Sequence, residues 1–430
     1  MNKWHFLPSL LASLASIITV SNLEAAEATK FDPKDHAIIK ANRPDGNHVS
    51  SYAIAHNLVN QTIPACQFDP SMNAEQFTQW QAKVRSAMEK LMKFPVNQSI
   101  DPPTLVKSVQ RNGYKIEKWD AYPFKSAVAP YFVMIPDQIA KDQQSPVIMC
   151  IPGSGQTKEL LAGETSPDLS APANEVSANA MAYHFVKQGW IAVVVDNAGT
   201  GEQADLEQKA GRHGYDYDSI ARYLLEIDWS WLGYTSYVDQ VILNWVKEQP
   251  WCNPKRIVLS GFSLGTEPMM VLGVLNTDIY AFVYNDFLCR TKERASVMTM
   301  PAGNGARHFP NSIRHLIPGF WQQFDFPDIV ASLAPRPVIC TEGGLDRDFQ
   351  LIQKAFDIAG SPNHFKFIHQ PKFANAERWQ KDELPKGIGK TEFFHHANVD
   401  PSNHFFKKDD IMPWLSQFLN QGSDNKSESK

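Results

Sequence analysis

Three hydrophobic periodicities follow one another along the chain. Between Ala74 and Phe94 the apolar residues Phe77, Trp80, Val84, Met88, Leu91 and Met92 recur at helical spacing, which predicts one buried helix face. Leu105 to Gln110 then alternates apolar and polar, Asn112-Gly113 supplies a turn dipeptide, and Tyr114 to Ala121 resumes the alternation. That is the pattern of a β-hairpin. Pro130 to Ile135 reads as a third short strand. From Pro146 onward the strands become continuous apolar runs, as expected where both faces of a strand are covered. They are Pro146 to Ile151, Ile191 to Val195, Arg256 to Leu259, Tyr280 to Tyr284 and Pro337 to Cys340, with Phe365 to Ile368 a weaker case. Helical stretches lie between them at Glu175 to Gln188, Ile220 to Leu232, Tyr234 to Lys247, Leu264 to Leu275 and Asp348 to Ala359, and Asp410 to Leu419 closes the series. Strand–helix alternation of this kind predicts a doubly wound, mostly parallel α/β sheet with an antiparallel start.

Two stretches break the rhythm, Arg290 to Pro335 and Gln370 to Asn403. Both are long and rich in Pro, Gly, Asn and aromatics, the character of substrate walls or lids. Residues 29–103 are expected to form a helical segment packed on the core, 104–422 the main α/β domain, and 423–430 a polar, disordered tail. The first 28 residues read as a secretory signal peptide. Lys3 gives a positive start, Phe6 to Val20 is mostly apolar but too short for a membrane span, and Ala26-Glu27-Ala28 is a small-x-small cleavage site. A periplasmic or secreted protein without membrane insertion follows. The first cysteine is Cys66, so no lipid anchor on a new N-terminal Cys is expected.

Composition narrows the chemistry. Among 430 residues, 43% are hydrophobic and 20% charged, with a formal net charge of −5. That describes an ordinary globular protein with no basic footprint for nucleic acid. The five cysteines form no C-x-x-C pair, and no H-E-x-x-H or Cys/His cluster has ligand spacing, so neither a metal nor a cofactor is expected. Cys150 and Cys340, inside apolar runs, read as buried thiols.

The strongest chemical signal is Gly261-Phe262-Ser263-Leu264-Gly265. It directly follows the buried run RIVLS and directly precedes an apolar helix. A serine between small residues on a sharp strand-to-helix turn is a nucleophile elbow. On such a scaffold the acid and the base follow the serine in that order. Pro337 to Cys340 runs into Thr341-Glu342-Gly343-Gly344-Leu345-Asp346-Arg347-Asp348. Asp346 is the expected acid, because Gly343-Gly344 lets the chain turn and present it. Asp348 reads as a helix cap, and Glu342 is the third candidate. Among the late histidines His369, His395, His396 and His404, the expected base is His404, which stands in a turn just ahead of the closing helix. Oxyanion donors are expected from the Leu264 amide and from the loop Pro152-Gly153-Ser154-Gly155-Gln156, Ser154 first and Gly155 next.

Five stretches carry a family resemblance: IPGSGQTKE, VVVDNAGTGE, LSGFSLGTE, TEGGLDRDF and the Asp400 to Phe405 segment. Over roughly Thr104 to Leu419 the chain resembles the α/β-hydrolase superfamily. Within it, the chain is similar to bacterial secreted acetyl xylan esterase-like and dienelactone-hydrolase-like proteins. The oxyanion loop departs from many esterases in lacking a His-Gly start, and the second elbow residue is Phe rather than His. The resemblance implies a serine carboxylic-ester hydrolase acting on an ester-bearing small molecule or polysaccharide, with removal of acetyl groups foremost. A pectin methylesterase, a lipase or a peptidase is the alternative on this fold, and a non-catalytic carbohydrate-binding relative is the third reading. Aromatics at Trp229, Trp231, Phe320, Trp321 and Trp379 could face a sugar or pack a core. Arg290 could hold a uronate carboxylate or form a structural ion pair. Glu267, one helical turn after Ser263, and Asp196-Asn197, at the end of IAVVV, stand near the expected pocket.

Overall fold

The computed structural model describes residues 43–96, 100–140, 143–204, 217–285, 288–298, 315–373, 375, 384–385, 388 and 390–420. The stretch read as a signal peptide, the polar tail and Trp379 lie outside the described residues.

The alternating segments pair as a hairpin. β1 (Thr104–Arg111) and β2 (Tyr114–Ala121) are antiparallel, with Arg111 opposite Tyr114 across the Asn112-Gly113 turn. β3 (Ala129–Pro136) continues antiparallel to β2. The continuous apolar runs become β4 (Ser145–Ile151), β5 (Ile191–Val194), β6 (Cys252–Phe262), β7 (Ala281–Asn285), β8 (Val338–Glu342) and β9 (Phe365–Phe367). The sheet order is β1-β2-β3-β5-β4-β6-β7-β8-β9, antiparallel up to the β3/β5 pair and parallel beyond it.

Strand alternation divides the core between the two faces. Val147, Met149 and Ile151 of β4 join one cluster, whereas Ile148 and Cys150 join the other. On the first face lie α2 (Ala74–Met92), α6 (Trp231–Lys247), α7 (Thr266–Leu275), α10 (Phe326–Ala331) and α11 (Asp346–Ile358). On the second lie α4 (Met181–Lys187) and the closing α13 (Lys408–Leu419). The α2 helix docks through Phe77, Trp80, Val84 and Met88, and its Gln81 amide donates to the Ser332 carbonyl at 2.8 Å and the Ala334 carbonyl at 2.6 Å. Among the described residues no helix is long and apolar enough to cross a membrane.

Two helices differ from the sequence reading for local reasons. The stretch from Glu175 becomes helical only at Met181, because the Ser177 side chain and carbonyl accept from the amides of Asn179 and Ala180 and hold a turn. The segment 220–232 is broken: α5 (Tyr217–Glu226) ends, Asp228 turns left-handed at φ 61°, and Ser230 caps α6 by accepting from the Gly233 amide at 2.9 Å. All five cysteines are buried thiols, and none is in a disulfide.

Candidate active site

The elbow is built by steric exclusion. Ser263 follows directly on β6 with φ 50°, a left-handed conformation that costs a non-glycine residue roughly 1–2 kcal/mol. The turn is tight because its flanks have no side chains. A Cβ on Gly261 would come 2.6 Å from the Gly265 carbonyl oxygen, and one on Gly265 would run into the Ile151 carbonyl. The Thr266 hydroxyl donates to the Ser263 carbonyl at 2.7 Å and closes the turn into α7.

The loop after β4 lies against this elbow. A Cβ on Gly153 would sit 2.7 Å from the Phe262 ring, so only glycine fits there. Gly155 is left-handed at φ 66°. Its amide donates to the Tyr217 hydroxyl at 3.2 Å, and the Gly153 amide donates to the Gln156 side-chain oxygen at 2.9 Å. Leu264, the residue after the serine, is buried. The His404 ring packs on Phe262, the residue before Ser263, with centroids 4.7 Å apart.

The carboxylates are distributed differently from the sequence expectation. Glu342 ends β8, fully buried, and its Oε2 lies 3.1 Å from Nδ1 of His404. Asp346, the expected acid, instead faces His369, with Oδ1 2.6 Å from Nε2. The cause is the backbone between them. Gly343 and Gly344 are both left-handed, at φ 86° and 101°, and carry the chain past His404 into α11. Asp348 does not cap that helix. It is the third residue of α11, and its Oδ1 accepts from Nε of Arg290 at 2.9 Å. Burial lifts the Asp348 carboxyl to about 6 against the pull of Arg290 and Arg347. Arg290 is thus a structural ion-pair partner, flanked as well by Asp325, Asp328 and Glu293.

Two residues missed by sequence reasoning gather around Glu342 beside His404. Asn285 ends β7 in register with Glu342. Its Nδ2 approaches Glu342 Oε2 at 3.5 Å and donates to the Phe405 carbonyl at 3.3 Å, while its Oδ1 accepts from the Lys407 amide at 3.0 Å. One side chain thereby ties the strand bearing Glu342 to the segment that follows His404. Lys407 Nζ stands 3.7 Å from the same Glu342 oxygen. The signal available in the sequence was a polar Asn closing the apolar run YAFVY at the edge where active-site loops gather.

The remaining expected contacts resolve mostly into packing. Trp321 donates its indole N–H to the Thr291 hydroxyl at 2.7 Å, and Phe320 is buried against Phe324 and Phe326. Trp231 is fully buried, and Trp229 packs edge-on against Phe124 and Tyr234. Glu267 is buried one turn beyond Ser263, 3.0 Å from Nδ1 of His315. Among the described residues no group of three His, Cys, Asp or Glu side chains could hold a metal ion.

The sequence matches the model of the abhydrolase family over residues 30–417. A solved protein from Bacteroides fragilis NCTC 9343, described as a candidate acetyl xylan esterase, is similar at 51% identity and a TM-score of 0.84, over 90% of this chain and 100% of that one. A solved methylesterase is 14% identical with a TM-score of 0.48, over 85% of this chain and 78% of that one. A glucuronoyl esterase from Solibacter usitatus is 12% identical with a TM-score of 0.47, over 70% of this chain and 88% of that one. No curated protein matches the sequence. With an elbow serine, a mostly parallel sheet in hydrolase order and a family match over nearly its whole length, the chain belongs to the abhydrolase family, the α/β-hydrolases.

Proposed function

We propose that this protein is a secreted or periplasmic serine carboxylic-ester hydrolase that removes acetyl groups from decorated polysaccharide, working through Ser263, His404 and Glu342. The observation that carries the reading is the strained Ser263 turn beside a histidine whose Nδ1 faces a buried carboxylate at 3.1 Å. A non-catalytic binder has no use for that strain.

In the reaction His404 takes the Ser263 hydroxyl proton as Oγ bonds to the ester carbonyl carbon. The carbonyl oxygen becomes an oxyanion and accepts from the backbone amides of Leu264 and Ser154. Collapse breaks the bond to the alcohol, which leaves with the proton from His404. Water then repeats the sequence on the acyl-serine and releases the acid. Glu342 keeps the Nδ1 proton in place and stabilises the imidazolium; Asn285 and Lys407 approach the same Glu342 oxygen and hold it there.

Two observations favour acetyl esters over uronate methyl esters. The relative from Bacteroides fragilis carries the acetyl xylan esterase description, and the charge of Arg290 is already matched by Asp348. Rates on acetylated xylan, p-nitrophenyl esters of increasing length and methylated pectin test this. Acetyl esters are expected to lead in kcat/KM, because each methylene that does not fit costs about 1–3 kcal/mol. Preference for octanoyl esters, or cleavage of methylated pectin alone, would overturn it.

A further inference from the structure

Loop 152–158 carries an oxyanion donor in the proposed reaction, yet its glycines give it little stiffness of its own. Both of its ends are held by two consecutive residues, Asp196 and Asn197, one residue beyond the end of β5. At the first end, Nδ2 of Asn197 donates to the Pro152 carbonyl at 2.6 Å. At the other, the Lys158 amide donates to Asp196 Oδ1 at 2.7 Å and Lys158 Nζ to Oδ2 at 2.9 Å. All three side chains are buried, so water does not compete for these bonds.

The clamp is itself braced. Lys158 Nζ also meets Glu159 at 2.6 Å and Glu202 at 2.7 Å, and it lies over the Phe132 ring. A Cβ on Gly201 would run into the Asp196 carboxylate, so the chain passes there only as glycine. The span between the two anchors is folded on itself by the Gly153–Gln156 bond and tied outward by Gly155 to Tyr217.

We propose that Asp196 and Asn197 are positioning residues of ester hydrolysis, fixing both ends of loop 152–158 so that its amide meets the developing oxyanion. The proposal rests on reading Ser263 as the nucleophile and this loop as an oxyanion donor. An oxyanion donor acts only within about 2.7–3.1 Å of the developing charge, and a shift of about 1 Å can cost roughly 100-fold in rate.

The test compares p-nitrophenyl acetate with its thionoester, in which sulfur replaces the carbonyl oxygen. Sulfur accepts hydrogen bonds poorly, so the ratio of the two kcat/KM values reads the oxyanion donors rather than general stability. Asn197→Ala and Asp196→Asn are expected to lower kcat on the oxoester by about 10- to 1,000-fold with little change in KM. The oxoester-to-thionoester ratio should fall by about tenfold or more. Asn197→Asp, nearly isosteric but facing the Pro152 carbonyl with an acceptor, should do the same. Equal losses on the two substrates, or an unchanged ratio, would overturn the clamp. So would failure of all three variants to fold, which would make the pair a folding element. Undiminished hydrolysis by Ser263→Ala would instead sink the underlying reading, whatever the clamp variants do.

Discussion

Glu342 and Asp346 stand four residues apart, and each faces a different histidine. That separation makes the acid assignment testable at single-residue resolution. Glu342→Gln should lower kcat by about 10³- to 10⁴-fold, because an amide no longer holds the productive imidazole tautomer. Asp346→Asn should cost far less, about tenfold at most. Steady-state kinetics on p-nitrophenyl acetate checks both, and the reverse ranking would return the acid role to Asp346. Ser263 and His404 were legible from the sequence as a candidate nucleophile and base, since a serine between glycines after an apolar strand has few other uses. Which carboxylate faces His404 was not. The string TEGGLDRD offers three carboxylates within a few residues, and which one meets His404 depends on the left-handed turns of Gly343 and Gly344. The same limit applies to Arg290, whose partner Asp348 lies 58 positions away in the chain.

At the scale of elements, the strands were legible because burial on both faces leaves unbroken apolar runs. The broken helix at 227–230 and the short helices inside the Arg290 to Pro335 insertion were not. Pieces of four to eight residues are too short to display a period, and their ends are set by caps such as Asp325, which accepts from the Phe326 amide at 2.8 Å. The elbow joins β6 to α7 through contacts that no side chain can enter. Gly265→Ala should therefore lower stability by about 1–3 kcal/mol through overpacking against β4, and it should reduce activity by displacing Ser263. Denaturant midpoints and kcat measured together check this; a fully stable, fully active variant would mean the turn is looser than described.

Across the whole molecule, the sheet separates two apolar layers, and a few ionisable groups are sealed between them. Asp239 on α6 is the clearest: neither of its carboxylate oxygens has a partner among the described residues. Burial, reinforced by the Asp196 charge, raises its pKa well above the ordinary value. The folded state therefore favours the protonated form more than the unfolded chain does. The stability tied to this proton is fully present below about pH 4, the unfolded value, and is lost as pH rises through the folded one. Asp239→Asn should thus be more stable than the parent at pH 8, with the difference shrinking toward pH 4. Urea midpoints across that range check it, and a constant difference would assign the effect to packing instead. The proposed hydrolysis begins at one atom in the whole chain, Oγ of Ser263. Its most direct test is stoichiometric reaction with diethyl p-nitrophenyl phosphate, followed by peptide mass spectrometry and residual esterase activity. A single phosphoryl adduct on Ser263 is expected, with activity falling in step with labelling, and no adduct in Ser263→Ala. A label at another residue, or full activity in the labelled protein, would contradict it.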